Sequence, residues 1–570
     1  MNTRRVPVTA LVILTILSAL VAFLPARILP IGMLAVPVIG VVVGALLPRR
    51  MRGKTWGFAV SASTLIAAIS MAFRYDWSLG GYQFIVPGPE IVQLGIRFSL
   101  GVDQISLALV LLSASLHPLA VTASLRSVHT RTRQHYMWMN LLLVAMLGTF
   151  MATDLLLFYM FFEVSLIPLF FIVGIWGGKE RRAAATKLFL YTFGASVFML
   201  AGIVYLGLRA GNFSLVGSDS VIAFAQNQMT STERFWILLS FLAAFAVKTP
   251  LIPLHTWLPL AHTEAPTAGS VDLAALVLKL GTYGMLRIAL PVGLITRDGG
   301  VLFPGVLQFM AILCLIGIIY AALVAWVQTD IKKLIAYSSV SHMGFCVLGM
   351  LSLNLVGMGG SVLYMVNHGI TSGALFLIVG MIYNRYHTRD INELSGLAKA
   401  MPRMAFFMII FVMASIGLPG SNGFVSEFLT ILGAFTSEHL GVAYGVVAAT
   451  GIVLGAIYML HFAAKLLFGP LYYRAFSPDH GTHETVHPKF VTGGDITGRE
   501  VLILTPLAIA VIVLGVFPSP LLRSLTQPLN DLRNAPAAAR AAAARQAAEP
   551  HHAPRLPAPL AQGPVATEAR

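Results

Sequence analysis

Long apolar runs separated by short polar segments dominate the hydrophobic pattern of this 570-residue chain. A helix that crosses a bilayer needs ~20 apolar residues, and about fifteen runs reach that length. They lie at 8–24, 28–47, 57–73, 104–124, 136–152, 154–174, 186–209, 235–260, 270–291, 303–326, 333–351, 357–383, 404–424, 440–468 and 502–518. The pattern therefore predicts an all-α polytopic membrane protein with about 14–15 transmembrane helices.

Composition supports a membrane protein, since 57% of the residues are hydrophobic and only 11% are charged. The net charge of +15 could indicate a nucleic-acid partner, but the basic residues fall in alternate short loops between the apolar runs. These clusters lie around residues 4–5, 49–54, 126–133, 179–187, 332–333 and 385–403. The positive-inside rule places such loops in the cytoplasm. We therefore expect a multi-pass membrane protein whose basic loops face the cytoplasm, with no nucleic-acid partner.

The stretch AFAVKTPLIPLHTWLPLAHTEAPTAGSVDLAALVLKLGTYGMLR, residues 244–287, carries two lysines at mid-span depth. A charge at the bilayer centre costs at least ~2.5–3.5 kcal/mol, so Lys248 and Lys279 must face water, a partner or the bundle interior. Pro250 and Pro253 break the first of these two spans. Broken helix at membrane depth persists only inside protein or beside a cavity, which is typical of an ion pathway.

A second break occurs at GLPGSNGFVSEF, where Pro419 and three glycines interrupt an apolar run just before Glu427. Two broken spans in corresponding parts of a chain indicate an internal repeat with a site in each half. The sequence thus predicts two inverted five-helix repeats, each with a discontinuous helix.

Six titratable residues fall near the middle of predicted spans. They are Glu163, Lys248, Lys279, His342, His368 and Glu427. Burial disfavours the charged form of each group, and an adjacent opposite charge restores it, so such a row can pass protons. A purely structural role is an alternative for each residue alone, but six in one chain favour a proton relay.

Several other polar residues have blander interpretations. Lys332 and Lys333 follow Asp330 and are interpreted as interface anchors, with proton uptake as the alternative. His262 either lines a half-channel or caps backbone groups. Asp272 fits the N-terminal turn of the next helix.

The chemistry-bearing motifs of soluble enzymes are missing from the sequence. It contains no GxGxxG after a strand and no GxxxxGK[ST], and its two cysteines, Cys314 and Cys346, cannot make a four-ligand metal site. His480, His483 and His487 are too widely spaced for a probable metal site. We therefore expect no cofactor and no metal on this chain.

The order of these features divides the chain into segments. Residues 1–27 form an extra N-terminal span or a signal-like segment, with a retained span favoured over a cleaved one. The other predicted segments are N-terminal helices with an external hairpin (28–135), a first half (136–300), a second half (301–468), a cytoplasmic loop (469–501), a C-terminal span (502–533) and a disordered tail (534–570).

The 244–287 stretch, together with QTDIKKLIAYSSVSHMGF, resembles the antiporter-like membrane subunits of respiratory complex I, over roughly residues 28–520. FFEVSLIPLFFIVGIWGG and GLPGSNGFVSEF resemble the M type, also called chain 4. The distinguishing residue is Glu427, because the other paralogues typically carry lysine there. The chain departs from the fourteen core helices of the family by its extra N-terminal span and its Ala/Pro tail.

The resemblance implies roles for the six mid-span residues. Glu163 and Lys248 match the coupled ion pair of the first half, and Lys279 matches the central lysine. His342 and His368 match the polar residues that join the halves, and Glu427 matches the terminal acid of the second half-channel. The implied activity is proton translocation by a non-redox subunit of a bacterial NADH:quinone oxidoreductase.

The same resemblance implies where the cofactors and partners lie. NADH, FMN, the iron–sulfur clusters and quinone would belong to partner subunits of the membrane-embedded complex, including neighbouring antiporter-like subunits. Three alternatives stay open: a subunit of a multisubunit cation/proton antiporter, a subunit of a related complex with another electron donor, and a non-conducting scaffold.

Overall fold

Helices account for nearly all of the regular structure in a computed structural model of the chain. The structure describes residues 24–46, 53–91, 95–296, 298–476, 483–485 and 494–533. Within these ranges, 11 helices are long and apolar enough to cross a membrane. The predicted all-α polytopic fold is confirmed. Residues 1–23 of the predicted N-terminal segment 1–27, and the predicted tail 534–570, lie outside the described residues.

Two helices, an external β region and a third helix precede the repeated part of the fold. The helices are α1 (Leu29–Leu46), α2 (Gly53–Arg74) and α3 (Gln104–Ser127). Between α2 and α3 lie β1 (Gln83–Val86), β2 (Glu90–Ile91), β3 (Ile96–Arg97) and β4 (Leu100–Val102). β1 pairs antiparallel with β4, and β2 pairs antiparallel with β3. These strands lie within segment 28–135, for which the sequence predicts an external hairpin.

A first set of five crossings follows. It comprises α4 (Thr132–Met151), α5 (Leu155–Val164) with α6 (Leu166–Trp176), α7 (Arg181–Ala210), α9 (Ser231–Lys248) with α10 (Trp257–Glu264), and α11 (Thr267–Leu294). The short helix α8 (Val221–Gln228) lies in the loop before α9. The break between α9 and α10 falls in the proline-rich segment that the sequence pointed to.

A second set of five crossings has the same order. It comprises α12 (Pro304–Trp326), α13 (Ile331–Leu351), α14 (Leu355–Tyr386), α16 (Pro402–Ser415) with α17 (Asn422–Phe435), and α18 (Val442–Leu467). The break again falls in the fourth crossing. Because each set has an odd number of crossings, the second set begins on the opposite side of the membrane from the first, as an inverted repeat requires.

Short elements and one further span complete the described fold. Beside the end of α14 are β5 (Leu394–Ser395) and α15 (Leu397–Ala400), and β5 pairs with β6 (Tyr472–Phe476), which pairs with β7 (His483–Thr485). The last span is α19 (Gly498–Val516), and the amphipathic helix α20 (Ser519–Arg533) follows it. α20 buries Leu525, Leu529 and Leu532 on one side.

Every predicted run from 28–47 onward coincides with a helix or a broken pair of helices. One boundary was wrong: the second broken span continues to Phe435 instead of ending at 424. The chain leaves helical conformation after Ser415, where Gly417 and Gly420 have positive φ, and resumes it at Asn422. Glycine adopts positive φ without steric cost, so Gly417 and Gly420 allow the span to bend and then continue as a helix.

The loops predicted to be cytoplasmic contact one another, which confirms that they share one side. Contacts between them include Lys54 Nζ to Leu125 O (2.6 Å), Trp176 Nε1 to Thr130 O (2.9 Å), Gly178 N to Glu264 O (2.9 Å) and Arg385 to Glu500 (2.7 Å). A missed or invented span would have placed some of these loops on opposite faces.

Small residues set the close contact between α14 and α17, which positions the second half of the site. A Cβ added at Gly433 would lie 2.3 Å from the Cα of Gly357, and one at Gly360 would lie 2.7 Å from Leu429. Glycine-lined contacts let membrane helices approach closely, since lipid provides no hydrophobic drive for helix association.

We expect Gly433→Ala to separate α17 from α14 and to destabilise the protein by ~1–3 kcal/mol, the usual cost of overpacking. Thermal unfolding of the purified protein in detergent measures this effect. Gly455→Ala is the matched control, because a Cβ there meets nothing within 4 Å. Equal melting temperatures for the two variants would contradict the close approach.

Candidate functional site

The ammonium group of Lys248 lies at the end of α9, where the first broken span leaves helical conformation. The residue is 2% exposed. Its Nζ donates to Ser165 Oγ at 3.0 Å and lies 4.8 Å from the centre of the Phe162 ring. A hydroxyl and an aromatic face therefore hold this cation inside the bundle, in place of water.

Glu163, in the last turn of α5, is half-buried, with Ser196 beside it and Lys248 near enough to interact electrostatically. Among the described residues, however, no salt bridge joins Glu163 to Lys248. The Lys248 ammonium instead contacts Ser165, two residues along the chain from Glu163. The ion pair implied by the resemblance is thus not closed in this structure, and the two groups are adjacent but separate.

Lys279 is fully buried and lies on α11 between two π-helical segments, Leu273–Val277 and Met285–Leu294. Its Nζ donates to the carbonyl oxygen of Ala274 at 2.6 Å and lies 2.7 Å from His368 Nδ1. π turns widen a helix locally and are frequent at functional sites. Here they flank the lysine that contacts the second half of the protein.

A chain of polar groups continues from His368 into the second half. The His368 and His342 rings lie 5.8 Å apart between centres. His342 Nδ1 is 2.7 Å from the Tyr364 hydroxyl, which donates to Glu427 Oε1 at 2.9 Å. The Tyr364 hydroxyl thus lies within hydrogen-bonding distance of both the imidazole and the carboxylate. His342 Nδ1 also lies 3.4 Å from the Glu427 carboxylate.

A cavity adjoins this chain at the second break. It offers about 20 Å³ to the centres of water molecules, which is enough for a water. Its lining is His342, Tyr364, Asn367, His368, Thr371, Ser372, Ala414, Ser415, Gly423, Ser426 and Glu427. His368 Nε2, Asn367 Oδ1 and Asn422 Nδ2 are buried and have no protein partner. Such atoms are normally satisfied by water, and the cavity offers both the space and the polar partners for one.

The structure therefore brings four of the six predicted residues into one connected group: Lys279, His368, His342 and Glu427. Glu163 and Lys248 form a second group on the first half. The two groups meet where α9 packs on α11, because a Cβ added at Gly281 would lie 3.0 Å from Lys248 Cβ. Gly281 follows Lys279 by two residues, so this glycine allows the end of α9 to approach the central lysine.

Two of the interpretations of other polar residues were wrong. Asp272 ends an α-helical segment rather than beginning one, and its carboxylate lies 3.0 Å from His117 Nδ1, with both side chains fully buried. Lys332 is buried rather than at the membrane interface, and its Nζ donates to the carbonyl of Ala265. A buried ammonium at the end of a helix stabilises the free carbonyl groups there.

Two residues near the site lacked a decisive sequence signal. Tyr364 was missed because a tyrosine in an apolar run resembles core, and only the fold brings it to Glu427. His262 is fully buried against the Phe376 ring, 4.8 Å between centres, and neither ring nitrogen has a protein partner. Its side chain therefore caps no backbone group.

No group of three metal-ligating side chains occurs among the described residues, and Cys314 and Cys346 are buried and unpaired. What the arrangement offers is a set of buried acids, bases and hydroxyls in hydrogen-bonding contact. Such a set can hold and exchange protons.

Comparison with known proteins gives a consistent family. Residues 152–460 match the family described as NADH:quinone oxidoreductase/Mrp antiporter, TM. The chain is 40% identical over 511 residues to NADH-quinone oxidoreductase subunit M of Rhodobacter capsulatus, covering 88% of this chain and 93% of that one. It is 35% identical over 508 residues to NADH-ubiquinone oxidoreductase chain 4 of Marchantia polymorpha, covering 88% and 96%.

Solved structures agree. A chain of respiratory complex I from Thermus thermophilus with bound NADH superposes with a TM-score of 0.75 at 29% identity, covering 89% of this chain and 99% of that one. A chain of the Mrp complex from Dietzia sp. DQ12-45-1b gives a TM-score of 0.77 at 21% identity, covering 90% and 99%, which shows the shared fold alone. The chain belongs to the NADH:quinone oxidoreductase/Mrp antiporter membrane family and, within it, to the M subunits of NADH-quinone oxidoreductase.

Proposed function

We propose that this chain translocates protons through the two buried groups, Glu163 with Lys248 and Lys279 with His368, His342 and Glu427. The chain is a proton-translocating subunit of a bacterial NADH:quinone oxidoreductase, a multi-pass inner-membrane protein among other membrane-arm subunits. The observation that carries the proposal is the row of neighbouring groups from Lys279 through His368 and His342 to Glu427, beside a polar pocket with room for water.

The first step takes place at Glu163 and Lys248. Redox energy arrives through the neighbouring membrane-arm subunits and closes or separates this pair. The open arrangement leaves Lys248 bonded to a neutral hydroxyl, whereas a closed pair would place a carboxylate against its ammonium. In a low-dielectric interior the two arrangements favour different protonation states of the lysine.

The second step moves the proton between the halves. Lys279 contacts both halves, since it sits on α11 and hydrogen-bonds His368 on α14. Histidine rings and the Tyr364 hydroxyl can both donate and accept, so a proton can pass to Glu427 by exchange of hydrogen bonds. Water in the pocket would complete the link where ring centres lie 5.8 Å apart.

The proposal places no cofactor and no metal on this chain. NADH, FMN, the iron–sulfur clusters and quinone would bind to partner subunits, and this chain would supply only acid–base groups. Its six residues are of types that transfer protons and not electrons.

A cation/proton antiporter subunit is the nearest alternative, because the Mrp complex shares the fold. Glu427 speaks against it, since the related antiporters typically carry lysine at this position. A non-conducting scaffold is disfavoured by the cost of burying six titratable groups without a use for them.

We expect Lys248→Ala to abolish most NADH-driven proton pumping in vesicles that contain the assembled complex, because the first group loses the lysine whose protonation responds to Glu163. Pumping is measured with a pH-sensitive dye, alongside NADH oxidation. Lys465→Ala is the control, as Lys465 is exposed at the end of α18 and bonds Asn392. Undiminished pumping by a fully assembled Lys248→Ala complex would end the proposal.

The substitution Glu163→Gln distinguishes a proton-relay role from a scaffold role. The substitution keeps the size of the side chain and removes its charge, so the relay account predicts normal co-purification of partner subunits with reduced pumping. A scaffold role predicts the reverse, namely weaker assembly with normal pumping per assembled complex.

Tyr364→Phe tests the link to Glu427. Removing the hydroxyl deletes a hydrogen bond to a carboxylate, a bond worth ~1.5–3 kcal/mol, and leaves only the longer direct contact between His342 and Glu427. Pumping should fall about tenfold, which corresponds to ~1.4 kcal/mol in the barrier. Tyr136→Phe is the control, because that buried hydroxyl bonds Ser124 instead. Equal pumping by both variants would remove Tyr364 from the path.

A further inference from the structure

A buried ion pair closes the external end of the first half. Arg287 on α11 lies 3.0 Å from Asp103, which immediately precedes α3, and their side chains are 9% and 2% exposed. This pair takes no part in the relay described above. It lies on the side of the membrane that carries the β hairpin, opposite the basic loops.

Each member of the pair is held from a second direction. The Arg287 guanidinium donates to the Tyr82 hydroxyl and lies 5.0 Å from the centre of that ring. Asp103 accepts from Ser106 N at 2.9 Å and caps α3. Tyr82 stands at the start of the external hairpin, so the hairpin presses against the outer end of α11.

A column of hydroxyl groups lies between this pair and the centre of the membrane. The Tyr283 hydroxyl lies 2.8 Å from Ser106 Oγ and donates to the Phe150 carbonyl at 3.3 Å. Lys279, Tyr283 and Arg287 are spaced by four residues on one helix, which places them near one face. With a rise of ~1.5 Å per residue, Arg287 lies roughly 12 Å outward of Lys279.

The chemistry of the guanidinium group is what interrupts this column. A proton moves along a hydrogen-bonded chain only through groups that both donate and accept, as the hydroxyls of Tyr82, Tyr283 and Ser106 do. Arginine has five donors, no acceptor, and a proton that it does not release in proteins. The Asp103 carboxylate and the Tyr82 hydroxyl both contact Nη2 of the guanidinium group.

We infer that Arg287, clamped between Asp103 and Tyr82, seals the first half against proton return from the external side to Lys279. This inference rests on the proposed function, because a seal matters only where a proton-carrying lysine lies behind it. It also gives the external hairpin a role, since Tyr82 is the residue that the hairpin contributes. Protons that reach Lys279 would then pass toward His368 and the pocket at Glu427 instead of returning to the external end of α11.

The test is passive proton leak through the complete complex in liposomes, without NADH. A potassium diffusion potential drives protons, and a pH-sensitive dye trapped inside reports their flux. Arg287→Gln introduces a neutral amide that both donates and accepts hydrogen bonds. The passive proton leak should therefore rise about tenfold or more, which corresponds to a barrier lower by ~1.4 kcal/mol.

Arg97→Gln is the matched control, because Arg97 pairs with Glu90 on the same hairpin at 2.7 Å but is 53% exposed. Wild-type leak in an assembled Arg287→Gln complex would overturn the seal. If Arg287→Gln alone does not assemble, the double variant Arg287→Gln with Asp103→Asn removes both charges together and leaves none unpaired. It is expected to leak, and wild-type leak in it would equally overturn the inference.

The outcome is independent of the pumping experiments. Leak is measured with no electron donor, so a failure of the proposed relay would appear as normal pumping by Lys248→Ala, and a failure of the seal as wild-type leak by the Arg287 variants.

Discussion

The contact between Lys279 and His368 is the interaction on which the rest of the arrangement depends. A lysine at the centre of a membrane bundle is costly, and it is retained only where specific partners face it. Here the partners are the carbonyl of Ala274 on its own helix and a histidine on the other half. The two repeats are therefore joined at their middle by an acid–base contact as well as by apolar packing.

The breaks in the fourth crossing of each repeat also help to accommodate buried polar groups. A regular helix would satisfy its own backbone and leave little space for water at mid-membrane depth. At the first break, the helix that carries Lys248 ends at that residue. At the second break, Glu427 and Gly423 line a polar cavity. The external end of the first half differs from this cavity, because the side chains of Arg287, Asp103 and Tyr82 contact one another there. The second half thus has a polar cavity at its break, whereas the first half has a buried ion pair at its external end.

The helices, their breaks and most of the site residues could be predicted from the sequence, because charges and broken helices inside a membrane cost much free energy and are therefore rare. Apolar run length fixed the helices, and proline and glycine marked both breaks. Mid-span charges singled out six residues, four of which meet in one group. What could not be read were contacts that depend on the relative rotation of distant helices. Tyr364, Ser165 and His117 are unremarkable in sequence, and each acquires its partner only through packing, while Lys332 looked like an interface residue until the fold buried it. The separation of Glu163 from Lys248 is likewise a matter of side-chain arrangement, which no spacing predicts.

The central claim is that protons cross from one half to the other through Lys279. The most direct test is the number of protons pumped per NADH oxidised by the assembled complex carrying Lys279→Met, which keeps the length of the side chain and removes its charge. The account predicts a lower ratio than in the wild type, with partner subunits still bound. An unchanged ratio would contradict it.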